Sequence, residues 1–179
     1  MVRAFVALEL SSEIRDALKT AQEKLRSGRA RLTFVDPGII HITVKFLGDV
    51  EDKKLPLVMK ALKEIPFIPF PVSAGPVSVN SRHNPRTIWS SVNDRGKAGE
   101  LSSLVDAALS PLGFAREIRK FTPHATVARI KSFDISLFPL LDQIKEKTYG
   151  ECMIRGLKLK KSTLMPTGPV YEDLLEVIW

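Results

Sequence analysis

Helical and strand-like patterns of hydrophobic residues alternate along this chain of 179 residues. Runs of strand-forming residues predict strands, and apolar residues spaced three or four apart predict helices. The predicted strands are 2–10, 31–35, 39–47, 77–79, 87–92, 124–130, 150–154, 157–164 and 170–179. The predicted helices are 13–26, 51–65, 133–146 and one carrying Leu101 to Leu109 that ends by Pro111 and Gly113. The proline-rich segment 67–72 favours an edge strand or an extended loop.

Two of the predicted strands carry the same short motif. His41-Ile42-Thr43-Val44 and His124-Ala125-Thr126-Val127 both have the form His-x-Thr-hydrophobic, and they contain two of the three histidines of the chain. Residues two apart in a strand project on the same face. Each histidine is therefore expected to share a face with its threonine.

The two motifs also reveal a repeat, because His124 follows His41 by 83 positions. The same offset relates Phe5 to Ile88 and Leu18 to Leu101, so strand, helix, motif strand and helix recur in the same order. This favours a structural duplication. We expect an α+β fold over residues 1–179, a single domain of two lobes with antiparallel or mixed sheets, outer helices and a central cleft. The two motifs are expected to face each other across that cleft.

Composition is that of a soluble globular protein, with 44% hydrophobic and 26% charged residues. No apolar run approaches the roughly 20 residues of a membrane helix, and the short apolar start meets Glu9 at once, so a cytoplasmic protein is expected. The single cysteine excludes an internal disulfide.

The charge of the chain is positive, with a net value of +7 and a pI near 9.6. A basic surface favours polyanionic partners such as nucleic acid. This feature is equally compatible with a basic protein that binds no nucleic acid, so positive charge alone does not establish a nucleic-acid partner.

Two histidines across a cleft can perform opposite proton transfers, one as a base towards the nucleophile and one as an acid towards the leaving group. Phosphoryl transfer needs this arrangement, since attack and departure are in line, and the Thr43 and Thr126 hydroxyls can donate to phosphate oxygens. Arg129 lies further along the second strand. It is expected on the opposite face if alternation continues from Val127, and would then reach the phosphate only by wrapping round.

Other uses of these residues stay open. A single strand histidine is more often a core residue than a catalyst, and two histidines are fewer ligands than a metal site usually needs, so no metal or other cofactor is expected. His83 lies in a polar loop. Phe34 and Phe121 precede the motif strands, where core packing is more common than base stacking. Glycine-rich nucleotide motifs are missing from the sequence.

The residues His41 to Gly48 and Phe121 to Arg129 resemble the paired motifs of the two-histidine phosphoesterase superfamily. The similarity is greatest to the RNA 2',3'-cyclic phosphodiesterases, also known as 2'-5' RNA ligases. It extends over nearly the whole chain and includes Arg3 to Ala7, Gly113-Phe114 and Gly168 to Glu172. The resemblance implies a two-lobed α+β fold and hydrolysis of RNA 2',3'-cyclic phosphates to 2'-phosphates without metal. It also implies ATP-independent joining of tRNA halves through a 2'-5' bond.

Residue roles follow from the same resemblance. His41 would be the proton donor, His124 the proton acceptor, and Thr43 and Thr126 would hold the phosphate. Further substrate-binding candidates are Arg86, Phe121, Arg129 and Tyr171. Members of the family often carry an aromatic residue before Pro-Arg, whereas this chain has Asn84-Pro85-Arg86. Base stacking is therefore not expected at that loop, and Arg86 stays a candidate phosphate contact.

The expected partner is therefore an RNA end, such as a tRNA fragment, bound by a monomer without membrane association. Two alternatives remain. One is a phosphodiesterase for small cyclic nucleotides, and the other is an RNA-binding module without turnover, whose salt-dependent binding would survive loss of both histidines.

Overall fold

The structure, a computed structural model, describes residues 1–166 and 168–179. The helices are α1 (Ser12–Leu25), α2 (Leu55–Lys63), α3 (Lys97–Leu109) and α4 (Leu137–Asp142). The strands are β1 (Val2–Glu9), β2 (Arg31–Phe34), β3 (His41–Val50), β4 (Phe70–Val79), β5 (Thr87–Asn93), β6 (His124–Ser132), β7 (Glu151–Ile154), β8 (Gly156–Met165) and β9 (Gly168–Ile178). The chain is thus an α+β protein, as expected. Between the predicted strands 157–164 and 170–179, the residues Pro166-Thr167-Gly168-Pro169 predict a turn, and Thr167 lies outside the described residues.

The strands form a single antiparallel sheet in the order β7-β4-β5-β6-β3-β1-β8-β9, with β2 also paired to β6. The expected two sheets correspond to two halves of this sheet. We call β3-β1-β8-β9 the first half-sheet and β7-β4-β5-β6 with β2 the second. One residue pair, Ile42 with Ala125, joins β3 to β6 and so connects the halves.

Local chemistry explains the helices. The Ser11 hydroxyl accepts a hydrogen bond from the Ile14 amide at 3.4 Å and so caps α1. Helical spacing then buries Ile14, Leu18 and Leu25 on one face. Helix α1 contacts β6 and α4, and α3 contacts β3 and α2. The core lies between these helices and one face of the sheet, which we call the helix face.

The element order matches the 83-residue offset. It carries β1 onto β5, α1 onto α3, β3 onto β6 and α2 onto α4, within a few residues at each end. The strands that follow the second helix of each repeat are exchanged, because β4 pairs with β5 and β8 pairs with β1. Each half-sheet therefore contains strands from both repeats. The duplication and the two-lobed single domain stay predictions.

The proline-rich region differs from the prediction. Residues 70–79 form one continuous strand, β4, which pairs with both β5 and β7. The two prolines are tolerated for a physical reason. Pro71 lies where only β7 is paired, and Pro76 falls within the register shift between Ala74 and Val77. Proline has no backbone N–H to donate, and neither of these two lies where β4 is paired on both sides, so the sheet tolerates them.

The last helix is shorter than predicted, since α4 spans Leu137–Asp142 instead of 133–146. The Asp134 carboxylate accepts a hydrogen bond from the Ser136 amide at 2.9 Å and also bonds the Arg29 side chain. Asp134 therefore forms a turn that delays the helix start. The hydrophobic period alone did not indicate this turn.

Candidate active site

The two His-x-Thr motifs lie side by side. Ile42 and Ala125 face each other across β3 and β6 and are fully buried on the helix face. Alternation therefore directs His41, Thr43, His124 and Thr126 to the other face, which we call the cleft face. The motifs were expected to face each other from opposite sides. The structure instead places them on neighbouring antiparallel strands, and the pairing of Ile42 with Ala125 sets each His at the register position next to the Thr of the other motif.

Both histidines use the same ring nitrogen to fix their orientation. Nδ1 of His41 lies 2.7 Å from the Ile39 carbonyl oxygen, and Nδ1 of His124 lies 2.7 Å from the Thr122 carbonyl oxygen. A carbonyl oxygen can only accept, so Nδ1 carries the proton in both rings. Nε2 is therefore the nitrogen available for chemistry. In His41 it accepts a hydrogen bond from the Thr43 hydroxyl at 3.1 Å.

Aromatic rings enclose His41. Phe5 stacks on the imidazole with ring centroids 5.0 Å apart, and the edge of Tyr171 approaches it at 5.4 Å. Burial lowers the pKa of His41, the hydrogen bond to the main-chain carbonyl raises it, the Lys160 charge lowers it, and the Glu9 charge raises it. The net result is a lowered pKa, which favours the neutral imidazole.

His124 also has an aromatic neighbour. The Trp89 ring on β5 lies with its centroid 4.3 Å from that of the imidazole. Phe5 on β1 and Trp89 on β5 thus support the two histidines in the same way. Neither residue was predicted from the sequence to belong to the site. The 83-residue offset relates Phe5 to Ile88, which is one position before Trp89. The β5–β6 register shifts by one residue at this point, between Ile88 and Trp89.

That register shift decides where Arg129 points. Trp89 lies opposite Thr126, Ile88 opposite Ala128 and Thr87 opposite Arg129, so β6 contains one extra residue near Val127. Such a bulge reverses the alternation beyond it. Arg129 therefore projects on the cleft face with Thr126. The expectation that it would lie on the opposite face is wrong, since it assumed unbroken alternation.

The charge of Arg129 also reaches the first half-sheet. Burial raises the pKa of the Tyr171 hydroxyl, and the positive charges of Arg129 and Lys160 partly offset that rise. Tyr171 in turn contacts His41. Arg129 therefore lies within electrostatic range of both sides of the site.

A bulge at the matching position changes the first motif strand. Ala7 lies opposite Thr43 and Val6 opposite Lys45, so β3 has its extra residue at Val44, which is 83 positions before Val127. Lys45 consequently turns towards the helices and pairs with Asp106 of α3. The next residue, Phe46, lies opposite Phe5 and so returns to the cleft face, where it is 74% exposed.

A polar cavity of about 330 Å³ adjoins His41. Its lining includes Glu9, Lys160, Tyr171 and Asp173. The Lys160 ammonium is buried and donates to Glu9 at 2.7 Å and to Asp173 at 2.6 Å. These carboxylates hold the lysine in place and balance its charge. A larger cavity of about 770 Å³, between residues 66–68 and α3, contains none of the predicted site residues.

The other predicted residues lie at different distances from the motifs. Tyr171 contacts His41 directly. Phe121 is half-buried and packs against the hydrophobic core. Arg86 is exposed, and its Nε donates to the Asn84 side chain at 3.0 Å. The Arg86 carbonyl accepts from the Ile130 amide at 2.9 Å, which places it beside the far end of β6.

Within residues 1–166 and 168–179, no three His, Cys, Asp or Glu side chains are grouped closely enough to hold a metal ion. In the same part of the chain, every helix is too short or too polar to cross a membrane.

A family model described as LigT like phosphoesterase matches residues 8–89 and 92–171. Each of these two stretches contains one of the His-x-Thr motifs. The chain is 34% identical over 174 residues to an Archaeoglobus fulgidus protein named RNA 2',3'-cyclic phosphodiesterase, with 97% of this chain and 98% of the relative covered. A protein of the same name from Methanothermobacter thermautotrophicus is 32% identical over 179 residues, covering 97% and 96%.

Solved structures show the same architecture. The protein TT0787 of Thermus thermophilus superposes with a TM-score of 0.84 at 26% identity and covers 98% of this chain and 97% of its own. The E. coli LigT complexed with 3'-AMP gives a TM-score of 0.77 at 20% identity, with 99% and 97% covered. At that level of identity the second similarity concerns the fold alone.

Proposed function

The chain belongs to the LigT-like phosphoesterase family, and we propose that it hydrolyses the 2',3'-cyclic phosphate at the end of an RNA to a 2'-phosphate. It is an enzyme, a hydrolase of phosphodiester bonds. Relatives 32% and 34% identical over nearly its whole length are named RNA 2',3'-cyclic phosphodiesterase. A phosphodiesterase for small cyclic nucleotides and a non-catalytic RNA-binding module remain the alternatives to be tested.

One observation supports the proposed mechanism most strongly. Two imidazoles on adjacent strands donate from Nδ1 to carbonyl oxygens at the same distance, 2.7 Å, and so both keep Nε2 for the substrate. A histidine that only packs in a core needs no such matched orientation. A pair with opposite protonation states supplies one base and one acid.

In the proposed reaction, His124 Nε2 accepts a proton from water as the water oxygen attacks phosphorus. The bond from phosphorus to O3' breaks, and His41 Nε2 gives O3' its proton. The products are a 2'-phosphate and a free 3'-hydroxyl. Thr43, Thr126 and Arg129 are proposed to bind the non-bridging oxygens, since all three project on the cleft face.

The acid role requires a protonated His41, although burial lowers its pKa. An anionic phosphate beside the ring favours the charged imidazole, because opposite charge raises a histidine pKa. We therefore propose that His41 takes up its proton as the substrate binds. For His124, the bond from Nδ1 to the Thr122 carbonyl oxygen leaves Nε2 as the nitrogen that accepts the proton of water.

The same geometry accommodates ligation. If the 5'-hydroxyl of a second RNA replaces water, its proton passes to His124 and the bond to O3' breaks as before. The product is a 2'-5' phosphodiester, and no ATP is needed because the cyclic phosphate supplies the activated bond. The joining of tRNA halves, the cytoplasmic location and the monomeric state are part of this proposal.

The mechanism is tested with a short RNA ending in a 2',3'-cyclic phosphate, with EDTA present. We expect His41→Gln and His124→Gln each to lower kcat by about 10²–10⁴-fold, the range of general acid–base catalysis. His83→Gln is the matched control, since His83 lies in an exposed loop. The two-histidine mechanism is wrong if either motif variant turns over at a rate near that of the wild type.

The alternatives give different results in the same assay. An RNA-binding module would bind the RNA with and without the histidines, and it would hydrolyse neither the RNA nor a mononucleoside 2',3'-cyclic phosphate. A small-molecule enzyme would open a mononucleoside 2',3'-cyclic phosphate with a higher kcat/KM than the RNA.

A further inference from the structure

The two lysines on the cleft face of the first half-sheet are already neutralised. Lys158 and Lys160 both bond Glu9 and Asp173. Lys161, whose register partner Ala4 belongs to the core side of the sheet, bonds Glu172 at 2.9 Å. Arg3 is the strand cation there without a salt bridge among residues 1–166 and 168–179, and its register partner on β3 is the acidic Asp49. These strands therefore offer little free positive charge to a polyanion.

The second half-sheet differs in this respect. Four exposed cations cluster where β2, β5 and β6 meet, and we call them the strand-end surface: Arg31, Arg86, Arg129 and Lys131. Among residues 1–166 and 168–179, none of the four forms a salt bridge.

The two acidic residues that next follow β6 in the chain already have partners. Asp134 bonds Arg29 at 3.4 Å, and Asp142 lies 3.6 Å from Arg82. The positive charge of the surface is therefore not cancelled by these carboxylates.

The strand-end surface continues directly from the active site. Arg129 follows Thr126 across the bulge and lies between Thr33 of β2 and Thr87 of β5 in the sheet register. Arg31 lies two residues before Thr33 on β2, opposite Ser132 at the end of β6. Hydroxyl donors and guanidinium groups thus alternate along one direction away from the paired histidines. Such groups bind phosphate oxygens without reading the base.

We propose that the strand-end surface binds the ribose-phosphate backbone of the RNA on the 5' side of the cyclic phosphate. The proposal rests on the proposed function, since it orients the RNA relative to the two histidines. The asymmetry of free charge sets the direction, with the RNA body over β2, β6 and β5. Recognition by phosphate contacts makes affinity depend on RNA length and salt and not on sequence.

The test compares two RNAs that end in a 2',3'-cyclic phosphate, a dinucleotide and an oligonucleotide of about ten nucleotides, a length within the site sizes of single-strand binding proteins. The variant is Arg31→Gln with Lys131→Gln, which leaves the histidines, threonines and Arg129 intact. We expect KM for the longer RNA to rise about tenfold at low salt, with kcat unchanged and the dinucleotide unaffected. The slope of log KM against log salt should fall by about 1.4, which is about 0.7 for each lost single-strand contact.

A matched control removes the same charge from the other side. Arg116 and Lys120 lie in the loop before β6, whose Ala115 carbonyl is held by Lys45 of β3 at 2.7 Å. We expect Arg116→Gln with Lys120→Gln to leave the dependence of KM on RNA length near that of the wild type. If KM for the longer RNA rises in this control and not in the strand-end variant, the RNA lies over the opposite side of the site and the proposal is wrong.

Two further outcomes are informative. Equal losses of kcat/KM on both RNAs in the strand-end variant would mean that Arg31 and Lys131 act at the reaction centre or on the fold. This result also contradicts the proposal. If the wild type turns over neither RNA, the proposed function fails. Direct binding of the longer RNA to the same variants would then still decide whether the strand-end surface recognises RNA.

Discussion

At the scale of single residues, the environment of His41 has a consequence for stability. Its pKa is lowered in the folded protein by burial, while in the unfolded chain it has the ordinary value of about 6.5. The unfolded chain therefore binds more protons between the two values, and the free energy of unfolding rises with pH in that window. Glu9, Lys160, Tyr171 and Asp173 line the cavity beside the ring.

We expect the wild type to lose stability as pH falls below about 6.5, until the lowered pKa of His41 is passed. The measurement is urea unfolding at several pH values, compared with His41→Asn, whose pH dependence in this window should be weaker. The lowered pKa of Glu9 acts at more acidic pH, below its ordinary value of 4.5. An identical pH dependence in both proteins above that value would contradict the assignment to His41.

At the scale of elements, β3 and β6 share a bulge at matching positions, Val44 and Val127. The outcomes differ between the two strands. In β3 the bulge sends Lys45 to the helix face, and in β6 it brings Arg129 to the cleft face. The same backbone feature thus removes a cation from one side of the site and adds one on the other.

Helix α3 offers a separate test at this scale. Asp94 is buried, and its carboxylate accepts hydrogen bonds from the Gly96 amide at 3.1 Å and the Ala98 amide at 2.6 Å. It satisfies amides that the first turn leaves without helical partners. We expect Asp94→Ala to lower the free energy of unfolding by about 1–2 kcal/mol, as for other lost caps. Chemical denaturation measures this, and Asp94→Asn should retain most of the stability because its side-chain oxygen can still accept.

At the scale of the whole molecule, the two half-sheets meet where the chemistry lies. Ile42 and Ala125 form the pair between β3 and β6, and the histidines and threonines flank them in the sequence. The exchange of β4 and β8 between repeats ties the halves together elsewhere. Packing beneath this junction therefore supports both the fold and the relative position of the motifs.

We expect Ile42→Ala to lower the free energy of unfolding by about 2–5 kcal/mol, the usual cost of a buried Ile-to-Ala change. It should also reduce kcat by up to about 10²-fold under conditions where the protein remains folded, because small misplacements of catalytic groups are costly. Leu62→Ala is the control. Leu62 is equally buried on α2, so it should lose comparable stability but keep a kcat near that of the wild type.

Much of this could be predicted from the sequence. The motif strands, the first three helices and the repeat order follow from local periodicity and residue type, which depend on neighbouring residues alone. Strand alternation also placed each histidine with its threonine. The prediction failed at Arg129 and at β4, where bulges and register shifts interrupt the alternation.

The sequence by itself determined the two His-x-Thr motifs, the α+β class and the excess of positive charge. Only the tertiary structure decided that the motifs lie on adjacent strands, that Arg129 faces them, and that Phe5 and Trp89 support the rings. It also decided which cations are neutralised, since Lys160 meets Glu9 and Asp173 only after β1, β8 and β9 pair. These features depend on contacts between residues far apart in the chain, whose register is set by bulges that leave no mark in the hydrophobic pattern.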